Sequence, residues 1–222
     1  MMRMRAPARV FADRAAAGAA LAQALRRLSL APPVLVLGLP RGGVAVAHEV
    51  AAALGAPLDV LIVRKIALPY NPELAIGAAA SGGIVIWEEQ IGPSSGAALE
   101  PLRAAALQEI DRRERRYRPG RAPLDLQGKT VLLVDDGLAT GATMLAAVRA
   151  ARQAGAGKII AAVPVGSPEA AARVRREADQ LVILQTPPEL FAVGQWYERF
   201  EQLEDADVCR LLELGPQAHA LE

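Results

Sequence analysis

The sequence has one cysteine, Cys209, in 222 residues, which excludes an internal disulfide framework and any multi-cysteine metal site. Near a polar tail it reads as a small apolar filler. Aromatic residues make up only 4% of the chain, so the core must be built from Ala, Leu and Val. There are two histidines, His48 inside an apolar helical stretch and His219 in the tail, and neither has metal-ligand neighbours at the right spacing. An excess of one charge is missing as well. Against 24 Asp plus Glu stand 25 Lys plus Arg, so at +1 no overall field recruits nucleic acid or membrane. No run approaches the roughly 18 apolar residues of a membrane span. The arginines of residues 1–9 precede no apolar stretch of the secretory type. A soluble cytoplasmic protein is the expectation.

What is present is an ordered alternation. Helical patterns are expected at Ala15–Leu28, Val44–Leu54, Ala97–Tyr117, Ala142–Ala154 and Pro168–Glu177. Short apolar strands are expected at Val34–Leu37, Leu58–Val63, Ile84–Trp87, Thr130–Val134, Ile159–Val165 and Leu181–Leu184. Ile66–Ala80, rich in Pro, Asn and Gly, reads as a long loop. Strand–helix alternation implies right-handed crossovers and an α/β fold, a mostly parallel central sheet with helices on both faces. No linker or repeat divides residues 1–222, so one domain is expected.

The chemistry gathers behind one strand. Val131-Leu132-Leu133-Val134 is followed at once by Asp135-Asp136, then Gly137-Leu138, then Ala139-Thr140-Gly141-Ala142-Thr143 opening a helix. Ligands of open parallel sheets sit outside the carboxyl ends of strands, where this turn lies. The helix start offers unpaired N–H groups and a positive dipole end, and small residues let a phosphate reach them. Two acids beside an anion cradle would repel the anion unless they face hydrogen-bond donors, and the vicinal hydroxyls of a ribose fit that need. The segment therefore reads as a sugar-phosphate site. A decorated helix cap would explain one or two of these polar residues but not the whole run. Gly128-Lys129-Thr130 and Val131–Asp135 look like pieces of a P-loop, but Pro123 occupies the place of the first glycine and a strand follows instead of a helix. Gly38–Gly43 lacks the G-x-G-x-x-G spacing of a dinucleotide fold.

Four apolar residues, two acids and a turn ending Ala-Thr-Gly-Ala-Thr resemble the 5-phosphoribosyl-1-pyrophosphate (PRPP) motif of type I phosphoribosyltransferases. The chain as a whole is similar to a bacterial subgroup of predicted phosphoribosyltransferases whose acceptor is unassigned. The resemblance implies that fold, with a small hood to which about residues 185–205 contribute, and a substrate of Mg-PRPP, Mg2+ being carried mainly by PRPP oxygens. It implies that Asp135 and Asp136 hold the ribose and that Ala139, Thr140, Gly141, Ala142 and Thr143 hold the 5′-phosphate. Arg41-Gly42-Gly43 resembles the family's pyrophosphate loop, which implies a cis peptide between Pro40 and Arg41. Arg64-Lys65 resembles the pair that leads into the family's closing loop, with Lys65 first and Arg64 second as partners for pyrophosphate. Asp135, Asp136, Arg41 and Lys65 are thus the expected catalytic set.

The tail Phe191-Ala192-Val193-Gly194-Gln195-Trp196-Tyr197-Glu198 resembles the Phe-x-Val-Gly segment of purine-salvage members. That likeness implies acceptor contacts from Phe191, Ala192, Trp196 and Glu198, yet no counterpart of the lysine those enzymes place on a 6-oxopurine is present. Aromatics that merely pack the tail onto the sheet are the alternative. Six arginines crowd Arg112–Arg121, with Glu109, Asp111 and Glu114 at helical pairing distance, so a salt-bridged face is expected before an RNA-binding one. The expected function is transfer of the phosphoribosyl group to a nitrogenous base or similar acceptor with release of pyrophosphate, a step of nucleotide salvage. A homodimer is expected. The alternatives are a PRPP- or nucleotide-sensing regulatory or RNA-binding protein on the same fold, and a hydrolase or phosphorylase acting on phosphoribosyl compounds.

Overall fold

The structure is a computed structural model that describes residues 10–68, 71–87 and 96–215. Its centre is set by three strands with almost no polar residue: β1 (Val34–Gly38), β6 (Thr130–Val134) and β7 (Lys158–Val165). Runs of this kind are stable only when both faces are covered. They are covered here. Together with β2 (Leu58–Val60) and β8 (Gln180–Gln185) they form a five-stranded, wholly parallel sheet in the order β2-β1-β6-β7-β8. One face packs against α1 (Arg14–Leu25) and α2 (Gly42–Leu54) through Leu21 and Val50, and α3 (Gly96–Tyr117) and α6 (Asp205–Leu214) extend the same cluster through Ile110 and Val208. The other packs against α4 (Ala142–Gln153) and α5 (Pro168–Glu177) through Leu145, Val148 and Val174.

The strand order explains where a ligand can go. From β1 the chain moves outward through α2 to β2, whereas from β6 it moves the other way through α4 to β7. The two crossovers diverge between β1 and β6, leaving a crevice at their carboxyl ends. Gly38 and Val134 are register partners there, and the Leu39 amide donates to the Val134 carbonyl at 2.9 Å. The turns after β1 and β6 therefore leave the sheet side by side.

Helix ends follow local chemistry. Asp13 caps α1 by accepting from the Ala16 amide at 2.8 Å. Ser167 caps α5, with Pro168 at the first helical position where its missing N–H is harmless. Glu204 and Asp207 form a reciprocal capping box at the start of α6.

Three expectations need correction. Leu58–Val63 is not one strand: pairing with β1 ends at Val60, and Val63 starts β3 (Val63–Leu68) in a second sheet. The described part of Ile66–Ala80 is not a loop. Residues 66–68 continue β3, and residues 71–80 form β4 (Asn71–Ala80), which pairs antiparallel with β3 and with β5 (Ile84–Trp87). Ile66, Ile76 and Ala79 are buried in the main core, and that burial outweighs the loop-like composition. The register slips at Ile66–Leu68, which blurs the alternation in sequence. Finally, α6 is a helix beyond those the sequence reading expects, although Val208, Leu211 and Leu212 carry its apolar spacing.

Candidate active site

The two turns of the crevice meet at close range because one of them lacks side chains at Gly42 and Gly43. A Cβ on Gly42 would lie 1.9 Å from Asp136 Oδ2, and one on Gly43 would lie 2.6 Å from the Val134 carbonyl oxygen and 2.9 Å from Asp135 Oδ1. The Arg41-Gly42-Gly43 loop thus rests directly on the two acids, and only glycine permits the approach. The Pro40–Arg41 peptide is cis, in keeping with the resemblance.

Each acid has its own surroundings. Asp135 Oδ1 accepts from the Asp136 amide at 2.9 Å, and burial pushes its carboxyl well above the usual aspartate range, with the Asp136 charge adding to the shift. Asp136 is also raised by burial, but less freely, because Arg14 opposes the shift. Arg14 Nε donates to Asp136 Oδ2 at 2.9 Å, and the side chains are 12% and 16% exposed. Arg14 Nη1 donates to the Glu201 carbonyl at 2.8 Å, and its guanidinium lies 3.8 Å from the centroid of Phe200. The Tyr197 hydroxyl donates to the Asp136 backbone carbonyl at 2.6 Å, and burial raises the phenol's pKa.

The turn that follows is built to stay open. Gly141 has φ +76° at the start of α4, a conformation that would strain a residue with a Cβ. Ser167 Oγ donates to the Ala139 carbonyl at 2.9 Å, so the cap of α5 also fixes this turn. Thr140 and Thr143 are exposed at its rim. Beside them lies a cavity of about 420 Å³ whose lining includes Thr140, Ala142, Thr143, Lys65, Arg149 and Arg173. Lys65 is therefore brought to the cavity beside Thr140 and Thr143.

The remaining expected residues are placed differently. Arg64, next to Lys65 on a strand, points to the opposite face of the small sheet, where Nη1 is 3.9 Å from Glu109. It is not brought to the Gly42–Gly43 loop. The Arg41 guanidinium sits 3.6 Å from Glu204 and 4.0 Å from Asp205, a loose contact at the other end of the loop from the acids. Phe191 is 80% exposed, and Ala192 is exposed too. Trp196 and Glu198 are tied by their backbones to Phe11, through Phe11 N to Trp196 O at 2.9 Å and Glu198 N to Phe11 O at 2.8 Å. The tail instead reaches the acids through Tyr197, stacked between Phe11 and Phe200, and through Val193 against Gly137. Arg14, Phe200 and Ser167 carry no signal in the sequence, being distant from Asp136 along the chain.

The arginine-rich stretch is largely internal pairing. Glu109 takes Arg112 and Arg113 at 2.7 and 2.8 Å, and the Arg112 hydrogen bond is the main cause that holds its carboxyl at about 2. Arg118 forks onto Asp59, and Arg121 also approaches it.

The family described as "Phosphoribosyl transferase domain" matches residues 11–195. The chain belongs to that family. It is 46% identical over 208 residues to a Mycobacterium tuberculosis H37Rv protein provisionally named a phosphoribosyl transferase, covering 92% of this chain and 47% of that protein. The chain spans about half the length of the curated relatives it matches. Among solved structures it is similar to the protein TT1426 of Thermus thermophilus, at 43% identity and a TM-score of 0.83, covering 91% of this chain and 97% of that one. A Neisseria gonorrhoeae protein crystallised with ppGpp shares the fold at 14% identity and a TM-score of 0.50, over 95% and 98% of the two chains. The diverging crossovers and the two-acid turn are thus features of a phosphoribosyl transferase domain.

Proposed function

We propose that this chain binds Mg-PRPP in the β1–β6 crevice and transfers its phosphoribosyl group to a nitrogen nucleophile with release of pyrophosphate. The observation that carries the reading is the seating of Gly42 and Gly43 against Asp135 and Asp136. It sets a loop of bare backbone beside the acids that would hold a ribose.

In this reading Asp135 and Asp136 accept from the ribose hydroxyls, and residues 139–143 donate to the 5′-phosphate. Arg41 exchanges its loose contacts with Glu204 and Asp205 for the leaving pyrophosphate, and Lys65 adds positive charge across the turn. Holding donor and acceptor in line supplies much of the rate, since pyrophosphate leaves with the electron pair of its bond to the ribosyl carbon, which turns oxocarbenium-like as the nitrogen bonds to it. No group of three or more His, Cys, Asp or Glu among the described residues could hold a metal ion. A Mg2+ that arrives on phosphate oxygens and keeps its waters, as part of the substrate, needs no such group. The acceptor in this reading is a nitrogenous base or a similar nitrogen nucleophile.

Labelled PRPP, Mg2+ and a panel of bases and amines should yield pyrophosphate with at least one acceptor. Tight PRPP binding without turnover on any of them would transfer the reading to a sensor. Release of free ribose 5-phosphate would mark a hydrolase. The Asp135→Asn/Asp136→Asn double variant should bind PRPP more weakly, and unchanged affinity would refute the site.

A further inference from the structure

We propose that Arg14 is a positioning residue of the phosphoribosyl site, aiming Asp136 through a strap in which residues 10–14 and 196–201 are joined over the acids. The inference rests on the PRPP reading above and adds a residue to it from a part of the chain outside every motif.

The strap is visible as a ladder. Phe11 and Tyr197 pair as a bridge, and the Arg199 amide donates to the Ala12 carbonyl at 3.0 Å. The Arg199 side chain pairs with Asp13, the cap of α1. From this strap a cation and a phenol descend onto one residue. Arg14 bonds the Asp136 carboxylate, and Tyr197 bonds the Asp136 carbonyl. The guanidinium plane is fixed on its other sides by the Glu201 carbonyl and the Phe200 ring.

A mainly structural ion pair would not need this arrangement, because pairing two buried charges adds little net stability. What the arrangement does is fix a direction. Arg14 takes one oxygen of Asp136, Oδ2, on the side facing Gly42, where Arg14 Nε would lie 3.1 Å from a Cβ at that glycine. Lysine cannot reproduce it: a point charge lacks the fork that bonds a carboxylate and a carbonyl while stacking on a ring. The charged and titratable groups facing Asp136 are Asp135 from its own turn, Arg14 from α1 and Tyr197 from the tail. Arg41, across the loop, is turned toward Glu204 and Asp205. Arg14 is thus the cation that opposes the rise burial imposes on the Asp136 carboxyl.

The test uses Arg14→Met, Arg14→Lys and Phe200→Leu in the full chain, with two readouts. Carboxyl titration by carbon NMR in the ligand-free protein should move Asp136 to higher pH in Arg14→Met and leave it near the parent value in Arg14→Lys. PRPP affinity in Mg2+ should fall about tenfold or more in Arg14→Met, with its low-pH limit shifted upward, and by a smaller factor in the other two. If Arg14→Met does not fold, the remaining two variants carry the affinity arm. An Asp136 titration unmoved in Arg14→Met, or parental PRPP affinity in both Arg14→Lys and Phe200→Leu, overturns the proposal. A parent protein that does not bind PRPP refutes the donor reading instead, and the titration arm still decides the role of Arg14.

Discussion

At the scale of single residues, the acids are placed at a cost to the fold. A carboxyl whose folded pKa is raised favours folding while protonated, and that contribution is lost as pH climbs through the folded value. Asp135 is raised by burial and by its neighbour, so its ionisation destabilises the protein near neutral pH. Asp135→Asn keeps an acceptor for the Asp136 amide and removes the charge. Its melting temperature at pH 7 should exceed the parent's while PRPP affinity drops, and calorimetry beside a binding titration checks both. The glycines set the opposite case. Gly43→Ala must push backbone, because its Cβ would meet the Val134 carbonyl oxygen at 2.6 Å, and overpacking of this kind costs about 1–3 kcal/mol in urea unfolding. The motif residues Asp135, Asp136 and Gly42–Gly43 are legible in sequence because short-range spacing defines them. Arg14 is not, because nothing local distinguishes an arginine on one helix from its neighbours.

At the scale of elements, α3 shows how unequal arginines in one stretch can be. Arg118 and Asp59 are 8% and 13% exposed and share a forked pair that ties the end of α3 to β2. Arg118→Met would leave Asp59 largely buried beside Arg121 alone, and a loss of about 2–3 kcal/mol is expected. Arg112→Ala, at an exposed pair, should change stability far less than Arg118→Met, and less still in high salt. Denaturant curves for the two variants at low and high salt separate them. The elements that sequence reading recovers best are those with uniform burial or clean caps, such as β6, α5 and β5. β3 and β4 look like a loop in sequence because a slipped register and the Pro and Gly of β4 leave no clean alternation, and only the pairing of β4 with β3 on one side and β5 on the other makes them a sheet.

At the scale of the whole molecule, stability should be uneven. β1, β6 and β7 are buried in two hydrophobic clusters, whereas β8, β5 and part of β3 are only half-buried. Amide exchange should therefore be slowest in β1, β6 and β7 and several orders of magnitude faster in β5, through local opening of the small sheet. Equal protection in both sheets would show a single cooperative unit. Because Lys65 lies on β3, PRPP should slow exchange in the small sheet when it binds.

Sequence by itself determined the α/β class, the acids, the glycine loop and the turn of residues 139–143, since each is written in contiguous residues whose chemistry needs no distant partner. Tertiary structure decided which groups meet them. It set Gly42 against Asp136, carried Lys65 to Thr140 and turned Arg64 away, and it brought Arg14 and Tyr197 over the acids. Those choices depend on strand order, on the alternation of side chains across β3 and on a strap between the two ends of the chain. They are fixed by packing between segments far apart in sequence, which no local pattern encodes.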